Sequence, residues 1–410
     1  MQKKLVLLMG LWGAEAWALN GLRPIGVSAE SNSLGGTGVC NFYNYYDALY
    51  KNPSLMALAP LSVGQSQSVT GLGFGQFRPQ VKATYGVDQE YKRPIGRSSA
   101  LFPGALGLGQ KVTERLSLAT GIYGGGGGAN YGEKADSVYR AKSKTATYSL
   151  TTGVSWALSA RTAVGMNGTI SSVDTRASNL SATRGIMVET GGRATSVGTL
   201  LGVSHRQDQF TIGAVFQPAQ TALIEGARDI DEDGTRDNLL FTAVPLEAAA
   251  GLSWQDEWWM VAADYRFLQW SEAEFIKAVG WRDQHVLALG YELGKAHRLR
   301  LGLNVSNDAV PDRMGTDGFG TTVVSNRPLI NLAADAFATT SGLGLTTRHY
   351  TIGSSHILSD KLRVNTAFQY MEPGSLLRTG AYEVPSGRRQ YGWKSKFMAT
   401  LLQLDLTYLW

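Results

Sequence analysis

Along much of this chain apolar residues recur at every second position, which is the period of a strand whose two faces meet different surroundings. In 259–267 the odd positions Trp259, Val261, Ala263, Tyr265 and Phe267 are apolar, with Asp264 and Arg266 between them. Leu299, Leu301, Leu303 and Val305 alternate in the same way with Arg298, Arg300 and Asn304, and Leu362, Val364 and Phe368 with Arg363, Asn365 and Gln369. A slip of one residue would reverse every side chain, so each pattern commits its strand to one apolar and one polar face. The last residues repeat the motif. Leu402, Leu404, Leu406, Tyr408 and Trp410 share one face, and Gln403, Asp405 and Thr407 the other.

The connections between these runs fall into two classes. Short ones lie near Thr113, Ser159, Arg206, Gln255, Gly294 and Ser359, while long polar or glycine-rich ones cover 72–98, 124–144, 177–193, 220–240, 272–283, 307–347 and 373–396. Two classes of loop suit the two sides of a membrane, and the strands between them number about 14, even as in single-chain bacterial barrels. The expected fold is an all-β transmembrane antiparallel barrel of about 14 strands.

Composition narrows this reading. Beyond Leu19 no stretch approaches the about 20 apolar residues of a membrane helix, yet only 17% of residues are charged, with 49 glycines, 10 tryptophans and 17 tyrosines. Strands in lipid must close on themselves, because an open edge cannot face hydrocarbon. A final strand ending on aromatics fits the interfacial girdle of a bacterial outer membrane and the signal read by the barrel-assembly machinery.

The first residues carry Lys3 and Lys4, an apolar run from Leu5 to Ala14, and Ala16-Trp17-Ala18, the small-x-small pattern of a cleaved leader. The expected division is a signal peptide at 1–18, an N-terminal hatch at 19–60 and a barrel at 61–410. The segment 19–60 does not alternate and gathers Phe42, Tyr43, Tyr45, Tyr46, Leu49 and Tyr50, and a barrel this wide has a lumen its wall side chains cannot fill. A plug folded back into the lumen is the expectation, with a flexible periplasmic tail as its alternative. Cys40, the single cysteine, cannot form an internal disulfide and lies far from the leader's cleavage site, against a lipoprotein. The charge of +5 falls to +4 once Lys3, Lys4 and Glu15 leave with the leader. So modest a charge implies no nucleic-acid partner and merely permits attraction to anionic lipopolysaccharide.

In this segment the sequence resembles the FadL family of outer-membrane transporters for long-chain fatty acids and aromatic hydrocarbons. The matching residues are Ser28-Ala29-Glu30, Leu34-Gly35-Gly36-Thr37-Gly38-Val39 and, after Asp47-Ala48, Asn52-Pro53-Ser54-Leu55, where Ser54 replaces the usual alanine. Further on, 263–271 ending in Trp270-Ser271, then 281–291, 298–302, 349–353 and the terminal strand continue the likeness, so it spans most of the chain. The resemblance implies a monomeric barrel of about 14 strands closed by a hatch, with Gly35, Gly36, Gly38, Asn52, Pro53 and Ser54 as the hatch motif. It further implies cargo released sideways into the membrane through a break near the third strand. Here that strand runs from about Leu116 to Tyr123 into the tract Gly124–Gly128, making Gly121 and Gly124 the candidate lateral gate, with a flexible external loop as the other reading of the tract.

Basic lumen residues in the family can meet a fatty-acid carboxylate, and the face assignment offers Arg266, Arg298, Arg300 and Arg363 for ligand binding. They can equally pair with Asp264, Asp405 or the hatch as scaffolding. Asp229, Asp231, Asp233 and Asp237, around Gly234, have the spacing of a calcium loop but lack its closing glutamate, Leu240 standing there. A Ca²⁺ site and a solvated acidic loop both remain open, and no other cofactor is implied. Five histidines occur, but none sits beside a serine in a recognisable catalytic context, so no enzyme is expected, and a plugged lumen argues against a general porin. An adhesin stays open. The expected function is uptake of hydrophobic small molecules across the outer membrane, with long-chain fatty acids first and aromatic hydrocarbons second; an outer-membrane lipid-modifying enzyme ranks below both.

Overall fold

The computed structural model describes residues 19–20, 23–77, 80–85, 90–91, 98–102, 106–130, 142–180, 187–230, 233–341, 344–385 and 387–410. The expected signal peptide at 1–18 and the loop residue Asp231 therefore lie outside the described residues. The alternating runs form a closed barrel of 14 strands. They are β1 (Ser66–Phe77), β2 (Leu106–Lys111), β3 (Leu116–Asn130), β4 (Lys142–Ala157), β5 (Thr162–Leu180), β6 (Met187–Gln207), β7 (Phe210–Gln217), β8 (Leu246–Gln255), β9 (Trp259–Gln269), β10 (Gln284–Leu293), β11 (His297–Ser306), β12 (Arg348–Ser359), β13 (Leu362–Val384) and β14 (Gly387–Leu409). Neighbours run antiparallel, and β14 closes on β1, where Trp410 and Ser66 exchange backbone hydrogen bonds of 3.0 and 2.8 Å.

Each expected short connection is a tight turn between consecutive strands. Backbone bonds close those at Thr113–Leu116, Ser159–Thr162 and Asp256–Trp259, and Gly294 takes φ +114 in another. The long connections are shorter than alternation suggests, because several strands continue into them. β3 runs through the glycine tract to Asn130, β5 and β6 reach Leu180 and Met187, and β13 and β14 reach Val384 and Gly387. The physical reason is that a strand standing above the hydrocarbon has water on both faces, so no apolar face needs to alternate. Glycines have no side chain to show a pattern at all.

Outside, the wall is an apolar belt. Leu72, Leu118, Leu150, Met166, Leu201, Ile212, Leu252, Leu289, Leu301, Ile352 and Leu404 are all exposed. Near the short turns stand Trp156, Trp258, Trp259, Tyr408 and Trp410, and toward the long loops Tyr148, Tyr265, Tyr350 and Tyr370. An apolar band between two aromatic girdles on a closed barrel is the surface of an outer-membrane protein, and it sets the short turns on the periplasmic side. Every face assignment read from β9, β11, β13 and β14 holds: Asp264, Arg300, Asn304, Asn365, Gln403, Asp405 and Thr407 are buried inside.

The N-terminal segment occupies the lumen, and from Ile25 to Ala59 nearly every residue is buried. It carries α1 (Ala29–Ser33), α2 (Tyr45–Lys51) and a 3-10 turn, Pro53–Met56. α1 starts at Ser28, whose side chain caps the backbone of Glu30 and Ser31; α2 starts at Asn44, which caps Asp47. Asn52 ends α2 and caps the next turn, with Pro53 at the first helical position, where its missing N–H costs nothing.

Above the lumen the long connections build a cap. A hairpin of Gln220–Arg228 with Asp237–Val244, two 3-10 turns at Trp270–Glu272 and Lys277–Val279, and α3 (Asn331–Ser341) bring Phe241, Trp270, Phe275, Ile276, Trp281, Ala338 and Leu345 into one buried cluster.

Candidate functional site

The N-terminal segment is held by directional bonds to the inward faces of the wall. Gly38 and Val39 donate their backbone N–H groups to Asp264 Oδ2 at 2.8 and 3.0 Å, and Gly35 donates to Thr351 Oγ1 at 3.0 Å while accepting from Asn304 Nδ2 at 3.0 Å. Ala29 N–H donates to Asp405, and Asn32 Nδ2 to Gln403 Oε1 at 2.6 Å. Gly35 and Gly36 adopt φ of +68 and +83, a region that a side chain would strain. Asn52 Nδ2 donates to Val39 O at 2.7 Å and Val203 O at 3.2 Å, its Oδ1 accepts from Ser54 N and Oγ, and Ser54 Oγ lies 2.9 Å from Ser204 Oγ. All six residues of the expected motif thus sit at the seam between plug and wall.

Ten strands, β2 to β8 and β10 to β12, press an inward glycine against this segment. A Cβ on Gly165 would come within 2.5 Å of Pro53 C, one on Gly153 within 2.6 Å of Leu49 Cδ1, and one on Gly290 within 2.9 Å of Leu34 O. The pairs Gly107–Gly121, Gly165–Gly202, Gly213–Gly251 and Gly290–Gly302 face each other across strands. Sequence reasoning missed this ring, although its signal was present: one glycine per strand on the polar parity, a few residues from the short turn.

The four candidate arginines are all engaged. Arg300, fully buried, lies 2.6 Å from Glu292 and 3.1 Å from Glu30; Arg298 pairs with Glu292 at 2.7 Å and Arg363 with Glu30 at 3.4 Å. Arg266 donates to Gly36 O at 2.9 Å and stands 3.8 Å from Glu247, which also holds Arg23 at 2.9 Å. The scaffolding alternative foresaw the plug as partner. Glu247 and Glu292, distant in sequence from the plug, were missed.

Burial raises the Asp47 carboxyl to about 6, against hydrogen bonds from Ser28 and Ser31, with the nearby Glu30 charge pushing the same way as burial. Burial likewise drives the Lys51 ammonium well below its ordinary value, and the Arg266 charge adds to it. Lys51 Nζ spends its donors on Ile25 O and, at 3.0 Å, Gly36 O.

At the candidate gate, β2 and β3 pair from Lys111↔Ser117 up to Leu106↔Ile122, and among the described residues no pair to β2 continues past Ile122. Beyond it, among the described residues, β3 pairs with β4 alone, from Tyr123↔Ser149 to Asn130↔Lys142. The glycine tract is therefore strand whose other edge carries no pairing among the described residues, and Gly124 lies on that edge. Gly121 has another task, since a Cβ there would meet the Tyr46 ring at 3.0 Å and its carbonyl accepts from Tyr50 Oη at 3.2 Å. Tyr46 Oη donates to Ile122 O at 3.3 Å, and the Tyr50 ring meets Tyr46 edge-on and Tyr123 at a tilt, at centroid distances of 5.1 and 5.2 Å. From these tyrosines one contiguous apolar cluster runs through Val69, Val173, Met371 and Leu401 to Phe241, Phe275 and Trp281 in the cap.

The acidic loop uses its carboxylates locally. Asp229 accepts from Gly234 N at 2.9 Å, Asp233 from Thr235 N at 2.8 Å, and Asp237 from Ile230 N at 2.9 Å while pairing with Arg327 at 3.0 Å. Among the described residues no group of three or more His, Cys, Asp or Glu is placed to hold a metal ion. The histidines are scattered: His205 meets Thr162 at 2.9 Å, His285 Tyr265 at 2.6 Å, His297 His356 at 3.0 Å, and His349 Asn304 at 3.3 Å.

No family model and no curated protein matches the sequence. Solved structures do. A FadL homologue of Pseudomonas aeruginosa superimposes with TM-score 0.68 at 13% identity, over 95% of this chain and 99% of that one. This chain has the FadL fold. The Pseudomonas putida toluene transporter TodX (TM-score 0.65, 15% identity, 93% and 98% covered) and the Ralstonia pickettii toluene transporter TbuX (0.63, 15%, 93% and 98%) share it. The FadL fold accounts here for the closed antiparallel barrel and its even count of 14 strands.

Proposed function

We propose that this barrel imports hydrophobic small molecules, captured by the cap, passed down the lumen to the N-terminal hatch and released sideways into the membrane at the β2–β3 edge. The observation that carries this reading is the contiguous apolar cluster joining Phe275 and Trp281 in the cap to Tyr46 and Tyr123 at the hatch. A hydrophobe crossing the hydrated lipopolysaccharide layer gains about 25 cal/mol per Å² of apolar surface on leaving water for such a path, and it keeps that gain on passing into lipid. No chemical step is needed. Leu106 and Ile122, the last β2–β3 pair and both exposed on the outer wall, mark the exit in this reading, with Gly124 beyond it.

Neutral cargo, aromatic hydrocarbons included, fits this lumen best, because Arg266, Arg298, Arg300 and Arg363 already face glutamates or the hatch and a carboxylate would have to displace them. The toluene transporters among the structural relatives agree with that cargo class. Long-chain fatty acids are the second reading and rest on Arg298 and Arg363, whose side chains keep 26% and 27% exposure. The acidic loop serves as a turn rather than a Ca²⁺ site in this account. Cells lacking their own transporter, expressing this chain, should take up radiolabelled toluene faster than radiolabelled oleate. Faster oleate uptake would reverse the cargo assignment, and no uptake of either by a folded barrel would reject import.

A further inference from the structure

β13 leaves its periplasmic turn at Leu362, so its inward side chains follow the lumen upward as Asn365, Ala367, Gln369 and Met371, all buried. Gln369 is 1% exposed, and neither its Oε1 nor its Nε2 has a hydrogen-bond partner. Among the described residues it is the one buried amide side chain with both polar atoms unpaired. Each such unsatisfied group costs about 1–3 kcal/mol, so a position that keeps two of them calls for a reason.

Register shows why the wall leaves this amide unpaired. Directly opposite it are Thr351 on β12 and Leu401 on β14, and one pleat away lie His349, Gly353, Ala399 and Gln403. Only three of these have polar side chains, and each is spent elsewhere. Thr351 Oγ1 donates to Ser33 O and accepts from Gly35 N, both at 3.0 Å; His349 lies 3.3 Å from Asn304 Oδ1 and 3.2 Å from Thr346 Oγ1; Gln403 accepts from Asn32 at 2.6 Å and donates to Asp405 Oδ1 at 3.2 Å. The same neighbours locate Gln369 on the cargo path. Thr351 and Gln403 hold the hatch, whereas Leu401, Ala399 and Met371 belong to the apolar cluster that reaches Phe275 and Trp281 in the cap. The amide therefore lies where the apolar path meets the hatch.

We propose that Gln369 selects cargo with one uncharged hydroxyl on an otherwise apolar skeleton, of which an alkylphenol is the type; the inference rests on the import reading above. A hydroxyl donates to Oε1 and accepts from Nε2, so one group on the cargo satisfies both atoms. A hydrocarbon leaves both unpaired. An ionised carboxylate has no donor for Oε1 and would bury its charge beside Leu401 and Met371, which costs far more than burying a neutral group. The cargo reaches the amide by displacing Met371, one pleat above on the same face, whose unbranched side chain repacks readily. A site that bonds a hydroxyl discriminates against the analogue lacking it, because its own polar atoms are then left unpaired.

The test measures uptake of two radiolabelled isosteres, 4-pentylphenol, which is uncharged at about pH 7, and 4-pentyltoluene, with a methyl in place of the hydroxyl. Cells lacking their own transporter express the full-length natural protein, Q369L or Q369N at equal surface level. Two net hydrogen bonds to a neutral amide are together worth about tenfold, so Q369L should raise the half-saturating concentration of 4-pentylphenol about tenfold and leave that of 4-pentyltoluene unchanged or lower. Q369N keeps a donor and an acceptor and should fall between the other two. Without cargo, purified Q369L should melt no lower than the natural protein, because leucine removes the unsatisfied amide. An equal shift for both compounds, or none for either, would overturn the proposal and leave import standing. A lower melting temperature for Q369L would overturn it as well, since the amide would then hold the wall together. Failure of the natural protein to take up either compound would reject the import reading itself, and this inference with it.

Discussion

The two ends of the lumen are closed by different physics. At the periplasmic end the hatch is bonded to the wall: Asp264 accepts two backbone N–H groups, Asn304 and Thr351 grip Gly35, and Ser54 meets Ser204. At the outer end the cap is packed instead, with Trp270 against Trp281 at 5.2 Å and Phe275 against Phe337 at 4.8 Å. Its polar clasp is Asp335, held by Arg313 at 2.7 Å, Arg378 at 3.5 Å and Tyr391 Oη at 2.9 Å. Apolar contacts are non-directional and can be exchanged for those of a greasy ligand, whereas a hydrogen-bonded seam has one register. The cap therefore suits capture and the hatch suits closure.

The largest expected break in this contrast is Asp264→Ala. It strips the two hatch N–H groups of their acceptor and leaves Arg266 and Lys51 short of a counter-charge, a loss of roughly 3–5 kcal/mol in hatch docking. Influx of a chromogenic β-lactam into intact cells should rise, while hydrogen exchange in α3 stays unchanged. Next comes Gly165→Leu, where the backbone of Pro53 leaves no room for a side chain. Overpacking there should cost about 3 kcal/mol and raise the same leak without removing a polar side chain.

The pH dependence of the hatch is smaller and has a defined sign. Asp47 titrates at about 6 in the folded protein against 3.8 for the free group, so the fold binds its proton more tightly than the unfolded chain does. This component of stability is therefore present at low pH and lost as pH rises from about 4 through 6. Between pH 7 and pH 5 the change is about 1.3 kcal/mol in favour of the lower pH. Exchange protection of residues 29–51 should rise on acidification and should stop responding to pH in Asp47→Asn. The smallest effect belongs to the cap: Phe275→Ala should raise the half-saturating concentration for uptake about fivefold, equivalent to about 1 kcal/mol, with no leak. A leak in that variant would mean that both closures act as one.

What the sequence discloses follows the same division. Where one face meets lipid and the other the lumen, alternation is enforced, and Trp259 to Phe267 or Leu402 to Trp410 can be read residue by residue. In the N-terminal segment the family resemblance singled out Gly35, Gly36 and Asn52-Pro53-Ser54, and these residues make local turns and caps. The glycine tract after Tyr123 was not legible, because residues without side chains carry no periodicity, and its strand emerges only through pairing with β4. Nor were the partners of the arginines. Glu30, Glu247 and Glu292 meet them through barrel closure, over separations no local pattern encodes. The cap stayed hidden because it is built from non-alternating loops that gain their core only by packing on one another.

The proposed release at the β2–β3 edge requires the hatch to shift, because Tyr46 and Tyr50 bond the carbonyls of Ile122 and Gly121 beside that edge. Ser54 and Ser204, whose hydroxyls lie 2.9 Å apart, allow it to be pinned by a disulfide in S54C/S204C, and the one native thiol, Cys40, is buried. The oxidised protein should lose toluene uptake and regain it on reduction. Undiminished uptake with the bridge formed would contradict a moving hatch and route the cargo past a static plug.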